Sequence, residues 1–270
     1  MKITLYTAIK DGFAQDLHAE AMLRHHLDLA DEIVVNEGFS SDETLERISR
    51  IDPKIKIFQS VWEKPKDLAW CIGFKDAARR ASTGDWCIHL DCDEFIPEWE
   101  FAEIRQHLAS TEDVLIPVRF LNFYGSYRVV HNDPLKVSWP DRKMVIHRNR
   151  EDIEFWGDGS NVKLRDQPFT WETSRKMFTV HHFGMVRDPA ILRKKWWIQG
   201  RAVQGKSSPI VPPNLLFRLF PHDWRDPQFF DELVEYPGPH IRAVQRDPNE
   251  FVRDKGRLVE LIRKRHTASM

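Results

Sequence analysis

Three acidic residues within four positions, Asp91, Asp93 and Glu94, close the apolar run Trp86-Cys87-Ile88-His89-Leu90-Asp91-Cys92-Asp93-Glu94-Phe95. An extended chain turns successive side chains to opposite faces, so Asp91 and Asp93 are expected on one side. Carboxylates held that close repel one another, and a divalent cation relieves the repulsion. Mg²⁺ and Mn²⁺ favour carboxylate oxygens and complete their shells with phosphate oxygens and water, so the pattern suits a metal–diphosphate site. A solvated acidic turn has the same composition, and Asp-x-Asp is too short to separate the two.

Other residue types invite chemistry further along. Phe155-Trp156-Gly157-Asp158-Gly159-Ser160-Asn161 sets a carboxylate between flexible glycines beside an aromatic ring, which suits a sugar-binding loop and makes Asp158 the candidate general base. Glu154 and Glu172 compete with it, and each of the three also fits plain surface decoration. The ten tryptophans are explained by a packed core, by stacking platforms for sugar rings, or by amphipathic contacts with lipid. Arg187, Lys194 and Lys195 can meet phosphate oxygens, although lysines on a helix are more often solvated.

The elements that must position these groups are clearest in the first half. Residues 2–8 read as a strand and 15–29 as a helix, with Phe13, Leu17, Ala21 and Arg24 on one stripe. A second strand, Glu32–Val35, ends at Asn36-Glu37-Gly38. Ser40 and Glu43 have capping-box spacing for a second helix, Pro53 ends it, and Lys54–Phe58 forms a third strand. A third helix covers Asp67–Ala81, and Gly84-Asp85 turns the chain into the acidic strand. Strand and helix alternate with short connections, which predicts an α/β fold with a mostly parallel central sheet and helices on both faces. The carboxyl ends of such strands are where open α/β sheets bind ligands. Beyond Pro97, a helix with Phe101, Ile104 and Leu108 inward precedes strand-like runs at Val114–Phe123, Lys143–His147 and Lys176–His182. Arg-Asp-Pro at 187–189, 225–227 and 246–248 marks three C-terminal helix starts.

A net charge of -1 argues against nucleic-acid binding through bulk electrostatics. Cys71, Cys87 and Cys92 cannot all pair and lack Cys-x-x-Cys spacing, which suggests a reducing compartment. With no signal-peptide pattern and no long apolar run, a cytoplasmic location is expected. The basic end Arg263-Lys264-Arg265-His266 either contacts anionic lipid at the inner face of a membrane or is a solvated helix terminus.

Residues 2–98 resemble the nucleotide-sugar-binding core of GT-A glycosyltransferases, in particular family 2 and its relatives with an Asp-x-Asp-Glu-Phe (DXD) motif. Four features carry the resemblance, in order: Asn36-Glu37-Gly38-Phe39-Ser40-Ser41-Asp42-Glu43-Thr44, Asp67, the helix Trp70–Ala78 with Thr83-Gly84-Asp85-Trp86, and Asp91-Cys92-Asp93-Glu94-Phe95. Asn36 and Glu37 replace the family's usual acids, and Phe39 or Ser40 is an extra residue. The resemblance implies a Rossmann-like GT-A sheet and a nucleotide site at Asn36, Glu37, Asp67 and Asp91. It implies Asp93 as direct ligand of Mn²⁺ or Mg²⁺, with Asp91 on the ribose or a metal-bound water. It also implies His182 as a late metal ligand, against the alternative of a histidine bonded within the core. Glu94 either orients a ligand or caps the turn.

The expected organisation is a nucleotide-sugar-binding core at 1–98, an acceptor-side mixed region at 99–186 and a C-terminal helical extension at 187–270. The expected activity is metal-dependent transfer of a sugar from a nucleoside diphosphate sugar to a hydroxyl of a glycan or lipid-linked acceptor, with inversion, in surface polysaccharide or glycoconjugate synthesis. A sugar-phosphate nucleotidyltransferase is one alternative, though Thr7–Gly12 lacks a glycine-rich phosphate loop. A non-catalytic carbohydrate-binding protein of the same fold is the other.

Overall fold

Ile3–Ile9 is apolar on both faces and forms β1, the strand around which the sheet is laid in a computed structural model of the chain. The structure describes residues 1–62, 68–131, 141–188, 191–192 and 233–245. These fall into two units, residues 1–120 with 142–181 and residues 121–141 with 182–270.

In the first unit β1 lies between β2 (Glu32–Glu37) and β4 (Trp86–His89), parallel to both. β3 (Ile55–Gln59) extends the parallel run beyond β2, while β8 (Arg142–Arg148) and β6 (Leu115–Tyr124) add antiparallel strands beyond β4. The order β6-β8-β4-β1-β2-β3 makes the fold α/β. From β1 the chain steps outward to β2 and β3, then returns to β4 on the other side of β1. Right-handed crossovers therefore place α1 (Ala19–His25) and α2 (Thr44–Ile48) on one face and α3 (Ile72–Arg80) on the other. In agreement, α1 contacts α2, whereas α3 packs on β1 and β2. The return point between β1 and β4 is the topological switch at which such sheets form a crevice.

The helices are shorter than their sequence patterns predict. Asp11 and Asp16 adopt left-handed φ of 49° and 50°, so residues 11–17 form successive turns and α1 starts at Ala19 instead of residue 15. α2 begins at Thr44, just after a local turn in which the Asp42 carboxylate accepts the Thr44 N–H at 3.0 Å. Ser40, the expected cap, instead accepts the Asp11 N–H at 2.8 Å. The third helix opens as a 3-10 turn over Leu68–Cys71. α4 (Phe101–Ser110) buries Phe101, Ile104 and Leu108, the three positions predicted. Gly84 is required by crowding, since a Cβ there would sit 2.7 Å from the Thr4 nitrogen.

Several strands were not foreseen, among them Leu233–Glu235 within the stretch expected to be helical, and two of them form a hairpin. β9 (Ile153–Trp156) and β10 (Asn161–Leu164) form an antiparallel hairpin. Its alternate residues Ile153, Phe155 and Val162 join Tyr6, Val34, Ala78 and Cys87 in one buried cluster. Each buried side chain of this size contributes roughly 1.5–3 kcal/mol, enough to hold a two-stranded hairpin that would not persist alone. The hairpin thus lies on the α3 face, and its turn is Gly157-Asp158-Gly159-Ser160.

In the second unit, β7 (Val129–His131) pairs antiparallel with β12 (Leu233–Glu235). The rings of Phe123, Tyr127, Phe183 and Tyr236 pack together beside it. Asp188 accepts the Ile191 N–H at 3.4 Å, as its reading as a helix cap requires. The two later Arg-Asp-Pro segments, Lys194, Lys195 and the basic 263–266 segment lie outside the described residues. Among the described residues no helix is long and apolar enough to cross a membrane.

Two buried histidines are neutral for a geometric reason. His147 Nδ1 donates to the Arg148 carbonyl at 2.8 Å while Nε2 accepts the Tyr6 hydroxyl at 3.0 Å, and burial lowers its pKa from 6.5 to about 4. His26 donates to Met22 and accepts from the Ile96 N–H, and burial likewise pulls its pKa well down. The unfolded rings titrate first as acid is added, so this stability is complete above about pH 6.5 and is lost down through about pH 4. For His147 the loss amounts to about 3 kcal/mol. Urea midpoints measured from pH 7 to pH 4 should fall, and His147→Gln should flatten that slope.

Candidate active site

β4 stops at His89, Asp91 and Asp93 lie in a turn, and Glu94 opens the two-residue strand β5 (Glu94–Phe95). Leu90 N–H still bonds to the Tyr6 carbonyl at 3.3 Å, after which Glu94 N–H closes the turn on the Asp91 carbonyl at 3.0 Å. The expectation that Asp91 and Asp93 share a face through strand alternation therefore fails. Glu94 caps the turn, accepting the Asp91 N–H at 3.0 Å. The turn sits against the end of β1, where the Cys92 thiol reaches the Ala8 carbonyl at 3.9 Å.

Two buried lysines clamp the acids. Lys143, on β8, meets Glu94 at 2.5 Å, with its ammonium over the Phe120 ring. Lys75, on α3, binds both Asp91 oxygens at 2.8 and 3.1 Å and also donates to the Gly159 carbonyl at 3.3 Å. Burial alone would lift the Asp91 carboxyl, but Lys75 above all, with His89 and Lys143, holds it well below the usual range. Burial would likewise lower the Lys75 pKa, yet Asp91 outweighs it and keeps the ammonium charged. At Glu94 burial, reinforced by Asp91 and Asp93, raises the pKa more than Lys143 lowers it.

Asp93 is buried in the same turn, only 4% exposed. The His89 ring packs between Tyr6 and Phe155, and its buried Nε2 lies 3.6 Å from Asp91 with no hydrogen-bond partner. Hard carboxylate oxygens beside an unsatisfied buried nitrogen suit a hard divalent cation that also takes phosphate oxygens. Lys75 already neutralises Asp91, so Asp93 is the better direct ligand of the pair.

Asp158 is exposed at the tip of the β9–β10 turn, where Gly157 and Gly159 have φ of +69° and +79°. The turn rests on α3: the Asp158 carbonyl accepts the Cys71 thiol at 3.1 Å, and a Cβ on Gly159 would strike the Cys71 sulfur at 2.7 Å. The same lysine that binds Asp91 thus holds the turn carrying Asp158. Glu154 is paired with Lys163 at 3.0 Å and Arg165 at 3.6 Å, and Glu172 is exposed on a loop. Trp156 stacks on Phe169 with one side open to solvent, while Trp86 is fully buried.

At the end of β2, Asn36 bonds to the Phe74 carbonyl and the Ser60 hydroxyl, both at 2.8 Å. Glu37 accepts the Phe39 and Ser40 N–H groups at 3.0 and 2.7 Å and the Gln59 amide at 2.7 Å. Both side chains are fully buried; Glu37 holds the loop that follows, while Asn36 ties β2 to α3 and to the end of β3. His182, in the second unit on β11 (Phe178–Met185), bonds to Asn122 at 2.9 Å. Arg187 is buried in that unit, and Asp67 lies outside the described residues.

Sequence reasoning missed Lys75, Lys143 and His89. The available signal was a lysine beside the inward stripe of α3 and another in the apolar strand β8. Lys75→Met should destabilise the fold by on the order of 2 kcal/mol, less than for a fully enclosed pair because a third of the Asp91 side chain is open to water. Adding Asp91→Asn should recover part of that loss in urea titrations, since the orphaned charge is removed.

No family model matches the chain, and no curated protein matches it. Among solved structures it is similar to residues 1–349 of S. aureus TarS, at 14% identity and a TM-score of 0.44, covering 72% of this chain and 63% of that one. The same TarS segment in complex with UDP-GlcNAc gives 11% identity and 0.43, covering 73% and 66%. Glucosyl-3-phosphoglycerate synthase from Mycobacterium tuberculosis, in complex with Mn²⁺, UDP and glucosyl-3-phosphoglycerate, gives 18% and 0.33, covering 46% and 45%. The chain spans less than two thirds of the length of these structures. Similarity at this level says nothing about the chemistry of the site.

Proposed function

We propose that the chain is a divalent-metal-dependent glycosyltransferase that moves a sugar from a nucleoside diphosphate sugar to a hydroxyl of a glycan or lipid-linked acceptor, with inversion. The observation that carries this reading is the Asp91-Cys92-Asp93 turn at the carboxyl end of β4, beside β1 at the switch point and clamped by buried Lys75. The order of motifs that resembles family 2 glycosyltransferases supports it. Surface polysaccharide or glycoconjugate synthesis is the setting that fits such an activity.

In this reading a bound Mn²⁺ or Mg²⁺ supplies Lewis-acid stabilisation of the departing diphosphate. Asp93 is its ligand, with His182 added on its sequence position alone. Asp91, immobilised by Lys75, accepts from the ribose or from water. Glu37 serves the nucleotide through the loop it holds, and Asn36 and Asp67 join it on sequence grounds. Asp158 removes the proton of the acceptor hydroxyl as the new C–O bond forms, with its turn fixed by Cys71 and Lys75.

The nucleotidyltransferase alternative needs backbone N–H groups after β1 to cradle phosphate. Here Asp11, Gly12, Phe13 and Ala14 donate theirs to Ser40, Thr44 and Asp42, and the Asp42 carboxylate occupies the place an anion would take.

Asp93→Ala should abolish Mn²⁺-dependent binding of nucleoside diphosphates while leaving thermal unfolding in their absence unchanged. Binding at wild-type strength would remove the assignment. Asp158→Asn should keep donor affinity and lower nucleoside diphosphate release from the donor sugar by about 10²–10⁴-fold, the usual contribution of a general base. Wild-type turnover would exclude Asp158.

A further inference from the structure

Ile96 is fully buried just past the end of β5, so its backbone N–H and C=O need partners away from water. Two adjacent histidines supply them. His26 Nε2 accepts the Ile96 N–H at 3.1 Å, and His25 Nε2 donates to the Ile96 carbonyl at 2.8 Å. These bonds fix opposite tautomers. His26 carries its proton on Nδ1, which donates to the Met22 carbonyl at 2.8 Å, whereas His25 carries one on Nε2. Burial, and then the neighbouring His25, hold the His26 pKa well down, so its accepting nitrogen stays unprotonated at neutral pH.

The two rings also do the work of apolar side chains. They meet edge to face at 4.8 Å, and both pack on Phe95 and Phe101 with centroids 5.3–6.0 Å apart. Leucine or phenylalanine would fill this junction without bringing nitrogens that must be satisfied. Polar rings at two consecutive positions, both aimed at one residue, mark a point where the backbone has to be held. That point is the exit of the acidic turn, three residues after Asp93. Lys75 and Lys143 grip the turn through the side chains of Asp91 and Glu94, from α3 and β8. The histidines grip its backbone from the end of α1, on the other face of the sheet. Small divalent ions such as Mg²⁺ demand near-octahedral ligand placement, while Ca²⁺ accepts a looser set.

We propose that His25 and His26 are positioning residues for the cation: by fixing the backbone at Ile96, they hold the Asp93 carboxylate where a small divalent ion requires it. The inference rests on the metal-dependent glycosyltransferase reading above. Asparagine and glutamine separate the two bonds of His26, because the asparagine amide reaches only as far as Nδ1 and the glutamine amide as far as Nε2. His26→Asn keeps a donor for Met22 and loses the acceptor for Ile96, whereas His26→Gln keeps that acceptor.

Titration of Mn²⁺, Mg²⁺ and Ca²⁺ into the full chain tests this, in the presence of whichever of UDP, GDP, ADP, CDP and dTDP binds the wild type. His26→Asn should weaken Mn²⁺ and Mg²⁺ about tenfold or more and Ca²⁺ less, while His26→Gln should stay within about threefold of wild type. His25→Leu and His25→Gln form a second pair with the same expected contrast. His147→Gln removes a buried histidine outside the turn and should leave all three ions bound as in the wild type. If His26→Asn and His25→Leu bind the ions at wild-type strength, the positioning role is wrong and the glycosyltransferase reading stands. If affinity follows the urea midpoint across every variant, His147→Gln included, the histidines only pack the core and the proposal fails. If the wild type binds no cation with any of the five nucleotides, the metal-dependent reading fails and the positioning role with it.

Discussion

The Lys75–Asp91 ion pair is the contact on which the arrangement around β4 depends. Three elements meet at one ammonium: α3 provides it, the acidic turn binds it through both Asp91 oxygens, and the β9–β10 turn gives it the Gly159 carbonyl. Without that charge, Asp91, Asp93 and Glu94 would repel one another. Burial of a lysine is costly, and such pairs seldom add much net stability. What this one contributes is position. It holds an acid and a glycine-flanked loop in fixed relation although they are far apart in sequence. Lys143 does the same for Glu94 from β8, so the turn is gripped from both sides of the sheet.

This grip works because the topology leaves a gap. The chain leaves β1 in one direction and returns to β4 in the other, so the loops after β1 and β4 diverge and polar groups gather between them. The sheet beneath is buried on both faces, with Leu5, Ile33 and Ile88 on one and Tyr6, Val34 and Cys87 on the other. A rigid floor under short loops lets charges be placed without mobile side chains. The same economy recurs at β2, where Glu37 uses both carboxylate oxygens to hold Phe39 and Ser40.

Much of the architecture was legible in the sequence because parallel strands buried on both faces read as uninterrupted apolar runs. β1, β2, β3, β6 and β8 lie within two residues of their expected bounds, while β4 ends at His89, short of the acids it was expected to carry. Helix limits were less legible. Asp11, Asp16 and Asp42 redirect the backbone through left-handed turns and side-chain bonds, and hydrophobic periodicity does not register either. The β9–β10 hairpin was missed because each strand is only four residues long, too short for alternation to stand out.

For the site, the amino-acid sequence by itself determined that Asp91, Asp93 and Glu94 follow directly on the apolar strand β4, since they close its apolar run. It also placed Asp158 between two glycines able to turn. Tertiary structure alone decided that Lys75 neutralises the first acid, that Glu94 caps the turn, and that Glu37 braces Phe39. The first joins residues sixteen positions apart, and the other two are local bonds that depend on how the backbone leaves β4 and β2. Only when the helices close over the sheet and exclude water do opposite charges become strong enough to choose their partners.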